Sequence, residues 1–301
     1  MNMIDTLVER NYHLYDLHEH PHLPAPAAAP APAREIAFLT RGRQHGEIRR
    51  LASPIDIGEI IKPFVFLDLA EFEPRDEPLF GMHPHSGIAT VTTILSGEVS
   101  YEDTTGKKGT IPTGGLEWMK AGNGVWHDGI ALPGKPFRGF QLWLALDAEH
   151  ENDPSESQYI APERIPHAGP ARVLLGSYGG ARSPVRSPGG VTYLHVTLKD
   201  GERWTFTPPP LQDVAWLAVD AGSLVATRTV RAGELAIFKQ SPESIVLEAK
   251  GNTSFVLGSA IKHPYPLVVG RGSVHTSRSA LSLGEEQINR LGNLLRNQGR
   301  I

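Results

Sequence analysis

Two stretches, IPTGGLEWMK (Ile111–Lys120) and VRAGELAIFK (Val230–Lys239), share one pattern: a branched residue, a turn glycine, a leucine, and a closing apolar pair followed by lysine. Upstream, ILSGEV around Gly97 matches VDAGSL around Gly222. Each unit reads as strand, glycine turn, strand, glycine turn, strand, which is a small antiparallel barrel written twice. The rest of the chain agrees. From Arg34 onward, short apolar runs are punctuated by glycine and proline, with 31 Gly and 25 Pro in the chain as a whole. Ala89–Leu95, Thr110–Pro112, Gly139–Leu146, Val191–Leu198 and Val214–Val219 have strand length and β-branched or aromatic content. Helical periodicity is confined to the end. There Ser282 and Glu285 read as a capping box ahead of Ile288, Leu291, Leu294 and Leu295, one apolar stripe that packs on a barrel. The expected fold is all-β. An N-terminal barrel spans 35–165, and a C-terminal barrel plus terminal helix spans 166–301.

Bulk properties narrow the function. Hydrophobic residues make up 40% of the 301 and charged ones 21%, so either half has enough apolar residues for a core of its own. The 29 basic and 33 acidic side chains leave a formal charge of −4, which argues against broad contact with a nucleic-acid backbone. There is no cysteine, which excludes disulfides, thiolate metal sites and cysteine nucleophiles. No stretch approaches the roughly 18–20 apolar residues of a membrane helix, and the first twenty residues lack the apolar core of a secretion signal. A soluble, cytoplasmic protein is expected. LPAPAAAPAPA (residues 23–33) reads as a semi-rigid spacer, and with the His13, His18, His20 and His22 segment before it forms an expected disordered extension over 1–34.

The repeat carries an asymmetry. His83 and His85 precede Gly97 by fourteen and twelve residues; the corresponding places before Gly222 are Pro208 and Pro210. Seven residues past Lys120 stands His127, and seven past Lys239 stands Val246. Chemistry therefore belongs to the first barrel. Two histidines two apart in extended backbone share a face, and a barrel interior brings a third from a distant strand beside them. Three imidazoles suit one divalent first-row transition metal and leave coordination positions open. Trp118, Met119, Trp126, Phe140 and Trp143 are candidates for an aromatic pocket, although a barrel core needs such side chains anyway. His195, His263 and His275 read as isolated, structural or exposed.

The stretch HPHSGIATVTTILSGEVSYEDTTGKKGTIPTGGLEWMKAGNGVWHDG (His83–Gly129) resembles the signature of the pirin family, and FQLWLALDAEHENDPSESQY (Phe140–Tyr159) is similar to that family's inter-barrel segment. The resemblance covers about residues 35 to 298. It implies a bicupin, two double-stranded β-helix barrels, with a metal, usually iron, in the N-terminal one. It also implies one of two roles. The first is a quercetin 2,3-dioxygenase-type oxygenase acting on a small flavonol-like aromatic substrate. The second is a metal- or redox-responsive regulatory protein that binds a protein partner. His83, His85 and His127 match three of the family's four ligands. The fourth, a glutamate two residues after the last histidine, is Gly129 here. Ser86 stands where the family commonly has arginine, and Ala89 where it has a glutamate. Without that carboxylate the site is more positive and accepts zinc, copper or nickel as readily as iron. A base for the flavonol proton must then come from elsewhere. The candidates are Asp128, which strand alternation puts opposite His127, and Glu117, where the family usually has glutamine. Glu117 faces inward if Leu116 and Trp118 face outward.

Overall fold

The computed structural model of the chain describes residues 33–73 and 81–301. The N-terminal histidines and the Pro/Ala run up to Pro32 lie outside the described residues. Among the described residues, no helix is long and apolar enough to cross a membrane.

Strands dominate, as the apolar runs predict. In the first half, a seven-stranded antiparallel sheet runs Glu156–Ile160, Leu116–Lys120, Ile88–Ser96, Phe137–Ala145, Phe64–Phe72, Ile48–Ala52 and Arg43–His45. A four-stranded sheet of His83–His85, Val125–Ala131, Val99–Asp103 and Lys108–Ile111 faces it. The second half is built on a nine-stranded sheet with the long strands Val214–Val225, Ile245–Ala260 and Val191–Leu198 at its centre.

Side-chain alternation divides each large sheet into two faces with different fates. One face of the first sheet (Val91, Leu116, Trp118, Leu142, Leu144) and one face of the second (Tyr193, Trp216, Val256) bury against each other in a shared core. The other face of the second sheet closes on itself. Leu194, Val196, Leu217, Val219, Phe255 and Leu257 pack with Phe206 and Leu247, and the barrel is filled. The other face of the first sheet instead carries Phe66, Thr92, Glu117, Gln141 and Trp143, which line a cavity of about 1030 Å³. Only small apolar clusters flank it.

Two segments cross between the halves. Ile36–Thr40 pairs with Leu235–Phe238 and extends the second sheet, and the Arg34 guanidinium before it donates to the carbonyls of Lys239 and Asp213. The Arg278–Asn297 helix packs in the opposite direction, against Val125–Ala131 of the first half, where the Trp126 indole N–H donates to the Ile288 carbonyl at 2.9 Å.

Two local expectations are corrected. The helix starts at Arg278 with Ser277 as its N-cap, whose hydroxyl accepts from the Ala280 N–H, so Ser282 lies inside it. The Ser282–Glu285 pattern is one turn too late because the apolar stripe already begins at Leu281, seven residues before Ile288, in the turn that also buries Ala280. Gly97 does separate two strands, but Gly222 does not. The chain runs on from Val214 to Val225 and absorbs Gly222, at φ +75°, as an irregularity in the ladder. Left-handed glycine serves a bulge as well as a turn.

A long-range clamp positions the His83–His85 strand. Ser86 bridges to Ser273, and the Ser86 hydroxyl lies 2.9 Å from both Ser273 Oγ and His275 Nε2. His275 Nδ1 is 3.2 Å from Glu151 Oε2, and Glu151 accepts from the Thr276 N–H and hydroxyl, both at 2.6 Å. The order Ser–His–Glu is that of a hydrolytic triad. However, Ser86 is 0% exposed and His275 1%, so no substrate reaches them and the network is structural. Gly284 of the helix is there for space: a Cβ would sit 2.5 Å from Ser86 Oγ and 2.7 Å from His275 Nε2. His195, read as isolated, bonds Ser254 Oγ at 2.9 Å.

Ser86→Ala leaves buried partners unsatisfied and is expected to destabilise the fold by about 1–3 kcal/mol in urea titration; an unchanged midpoint would show that the clamp carries no stability. Acid should also weaken the fold. Burial, then Arg172 and His167, pushes His195 down to about 4. The unfolded chain binds that proton near the ordinary value of about 6.5 while the folded chain stays neutral, so this stability is full above about pH 6.5 and is lost as pH falls toward 4. Its size is at most about 3 kcal/mol. Burial also lowers His263 and His275 and adds in the same sense. A His195→Gln variant is expected to show a shallower decline between pH 6.5 and 4; an identical profile would remove His195 from this account.

Candidate metal centre

His83 and His85 project from one short strand on the same face, and the antiparallel register sets His127 directly opposite His83. The three rings stand 4.5 to 5.1 Å apart between centroids. One ligand nitrogen from each lies within 4.8 Å of the others, and among the described residues this is the one such group of three or more.

Hydrogen bonds set the tautomers. His83 Nδ1 is 2.8 Å from the Gly81 carbonyl and His85 Nδ1 2.7 Å from the Gly272 carbonyl, so both donate there and keep their Nε2 lone pairs. Gly272 needs to be glycine: it sits at φ +76°, and a Cβ would meet the Pro84 carbonyl at 2.8 Å. His127 Nδ1 lies 3.5 Å from Glu117 Oε1, while its Nε2 is buried without a hydrogen-bond partner. Burial, then the neighbouring His127, holds His83 down to about 4 and His85 well below its ordinary value. Both rings are therefore neutral at neutral pH, which is the form that binds metal. Neutral imidazoles converging around an orphaned buried nitrogen fit a divalent first-row ion.

Glu117 is only 5% exposed and turns into the cavity, while Leu116 and Trp118 bury in the shared core on the other face. Thr92 donates to the Glu117 carboxylate, and the Thr92 hydroxyl lies 2.7 Å from Gln141 Oε1. This arrangement places the carboxylate against the outer nitrogen of His127, in the manner of a carboxylate–histidine–metal relay. Asp128 sits at the cavity rim, where its Oδ1 accepts from the Gly129 N–H at 2.8 Å.

The cavity has a flat aromatic wall. Phe66 stacks on Trp143 at 4.0 Å and 10°, and Trp143 meets the His85 ring edge-on at 4.9 Å. Arg50 lies 4.1 Å over the outer side of Phe66 and pairs with Asp68 through both carboxylate oxygens. Opposite stand Tyr101, stacked on Tyr159, and Trp126. Of the five candidate pocket residues, Trp126, Phe140 and Trp143 line the cavity, Phe140 from within the shared core, whereas Trp118 and Met119 are 1% and 0% exposed and belong to the cores alone. The helix supplies the remaining wall through Glu285, Ile288, Asn289, Gly292 and Arg296. Neither this wall nor the Gly272 contact has a local sequence signal, because their partners lie some 160 to 190 residues away.

The comparisons agree with this geometry. Residues 45–144 match the Pirin family. A pirin-like protein of Caulobacter vibrioides is 30% identical over 217 residues, covering 64% of this chain and 75% of that protein. The crystal structure of a quercetin 2,3-dioxygenase from Acinetobacter baumannii superposes with a TM-score of 0.79 at 26% identity, over 86% of this chain and 98% of the other. The bacterial pirin YhhW from Escherichia coli, solved in complex with nickel(II), shares the fold at a TM-score of 0.59 and 16% identity, over 75% of this chain and 99% of that one. The strand fold, the histidine cluster and these relatives lead to one assignment: this chain belongs to the pirin family, as a cupin-type protein with a site for a divalent metal.

Proposed function

We propose that the protein is a metal-dependent oxygenase of the quercetin 2,3-dioxygenase type, acting on flavonol-like aromatic compounds. The observation that carries the reading is the position of three imidazoles at the end of an aromatic-walled cavity of about 1030 Å³, a volume suited to a small polycyclic ligand. His83, His85 and His127 would hold the ion through their inner nitrogens. Iron is the metal the family resemblance favours, and the all-imidazole set also accepts zinc, copper or nickel. When bound, the ion supplies Lewis acidity and redox chemistry.

The chain's own residues do the rest. Trp143 and Phe66 offer a flat surface on which a planar ring lies in register with His85. The helix residues across the cavity narrow the access of water. Glu117 is the base: its buried carboxylate faces the cavity, is held by Thr92, and takes the proton of a substrate hydroxyl while its contact with His127 Nδ1 keeps that ring oriented. It fills the part that a carboxylate at position 129 would otherwise play.

Full-length protein reconstituted anaerobically with iron is expected to consume quercetin with matching uptake of dioxygen, followed by loss of flavonol absorbance. Glu117→Gln keeps the shape of the side chain and should lower kcat by about 10²–10⁴-fold with little change in KM. No turnover by the metal-loaded wild type would refute the oxygenase reading, and undiminished turnover by Glu117→Gln would remove Glu117 from the role of base.

A further inference from the structure

We propose that, among the flat aromatic compounds this cavity admits, those that carry one carboxylate bind most tightly together with the metal, because the carboxylate occupies the space beside Gly129. The proposal rests on the metal-site reading above.

Gly129 follows His127 by two residues in the same strand, so it shares the histidine's face, and it lines the cavity. Its backbone is not left-handed. A Cβ added there would meet Val99 Cγ1 at 3.2 Å and Ser100 O at 3.7 Å, and nothing else within 4 Å. The fold does not demand glycine at this point, yet no side chain fills it.

Three of the four carboxylates that line the cavity are committed elsewhere, and the fourth, Glu285, is exposed on the C-terminal helix. Glu117 is tethered by Thr92 on the side of the outer nitrogen of His127, away from the orphaned Nε2. Asp128 is turned to the Gly129 N–H. Asp68 is held bidentately by Arg50.

Charge points the same way. Of the charged side chains that line the cavity, Arg271, Glu285 and Arg296 are exposed and Asp128 sits at the rim, while the inner ones, Arg50, Asp68 and Glu117, sum to −1. A divalent ion turns that into +1, and one carboxylate on the ligand neutralises it. A buried, uncompensated positive charge is costly, so the anion and the ion should stabilise each other's binding. The Phe66–Trp143 stack beside His85 requires that the carboxylate be carried on a flat ring.

The test is calorimetric titration of the full-length protein with Co2+ at fixed ionic strength, with benzoate, with acetate, or with neither. Benzoate is expected to raise Co2+ affinity by about tenfold or more, and acetate by less. Trp143→Leu should reduce the benzoate effect to that of acetate. Gly129→Ala should keep the response to benzoate. Gly129→Glu should bind Co2+ more tightly without additive and lose the response. If Co2+ binds the wild type with an affinity that benzoate does not change, while His85→Ala abolishes binding, the metal site stands and this proposal is overturned. If Co2+ does not bind under any condition, the metal-site reading fails and the proposal falls with it.

Discussion

The antiparallel ladder that sets His127 opposite His83 and Val125 opposite His85 determines where three imidazoles meet. Alternation along the His83–His85 strand puts two rings on one face, and the register of the neighbouring strand adds the third. A slip of one residue would send His127 to the outer surface and bring Trp126 or Asp128 in its place. Much of the surrounding structure serves to hold that register. Gly272 accepts from His85, Ser86 is gripped by Ser273 and His275, and Glu151 anchors His275 from beneath. The Trp126 side chain, next to His127 on the strand, is tied to the C-terminal helix. The helix thus steadies the histidine strand while its other residues wall the cavity.

The two halves use one architecture for different ends, and the difference lies in which face of each sheet is apolar. Both halves give one face to the shared core between them. The second half also fills its own barrel with leucine, valine and phenylalanine. In the first half, the equivalent face carries Thr92, Glu117 and Gln141, a hydrogen-bonded row that polar groups of this kind need when buried. Stability is thus concentrated in the shared core and the second barrel. The first barrel can keep a cavity and three desolvated histidines that a smaller domain would struggle to support.

The sequence carried the parts of this arrangement that depend on a period of two. Duplicated strands, the shared face of His83 and His85, and the barrenness of Pro208, Pro210 and Val246 all follow from local spacing. The inward turn of Glu117 was legible only conditionally, because parity says which neighbours oppose it and not which side faces the cavity. Boundaries were less legible. Ser282 and Glu285 imitate a helix start that Ser277 in fact provides, and Gly222 imitates a turn where the ladder bulges. The clamp on His85 was not legible at all. Gly272 and His275 are more than 185 residues from the strand they hold, and no local pattern marks a histidine whose partners are a serine and a glutamate from distant parts of the chain.

The central claim is that three imidazoles, without a protein carboxylate in direct contact, make up the metal centre, with Glu117 acting through the outer nitrogen of His127. X-ray absorption spectroscopy of the full-length protein loaded with one equivalent of nickel(II) tests it most directly. The account predicts multiple scattering from three imidazole ligands, falling to two in His127→Ala, with a spectrum unchanged in Glu117→Gln. Fewer than three imidazoles in the wild type, or the loss of an oxygen ligand in Glu117→Gln, would contradict it.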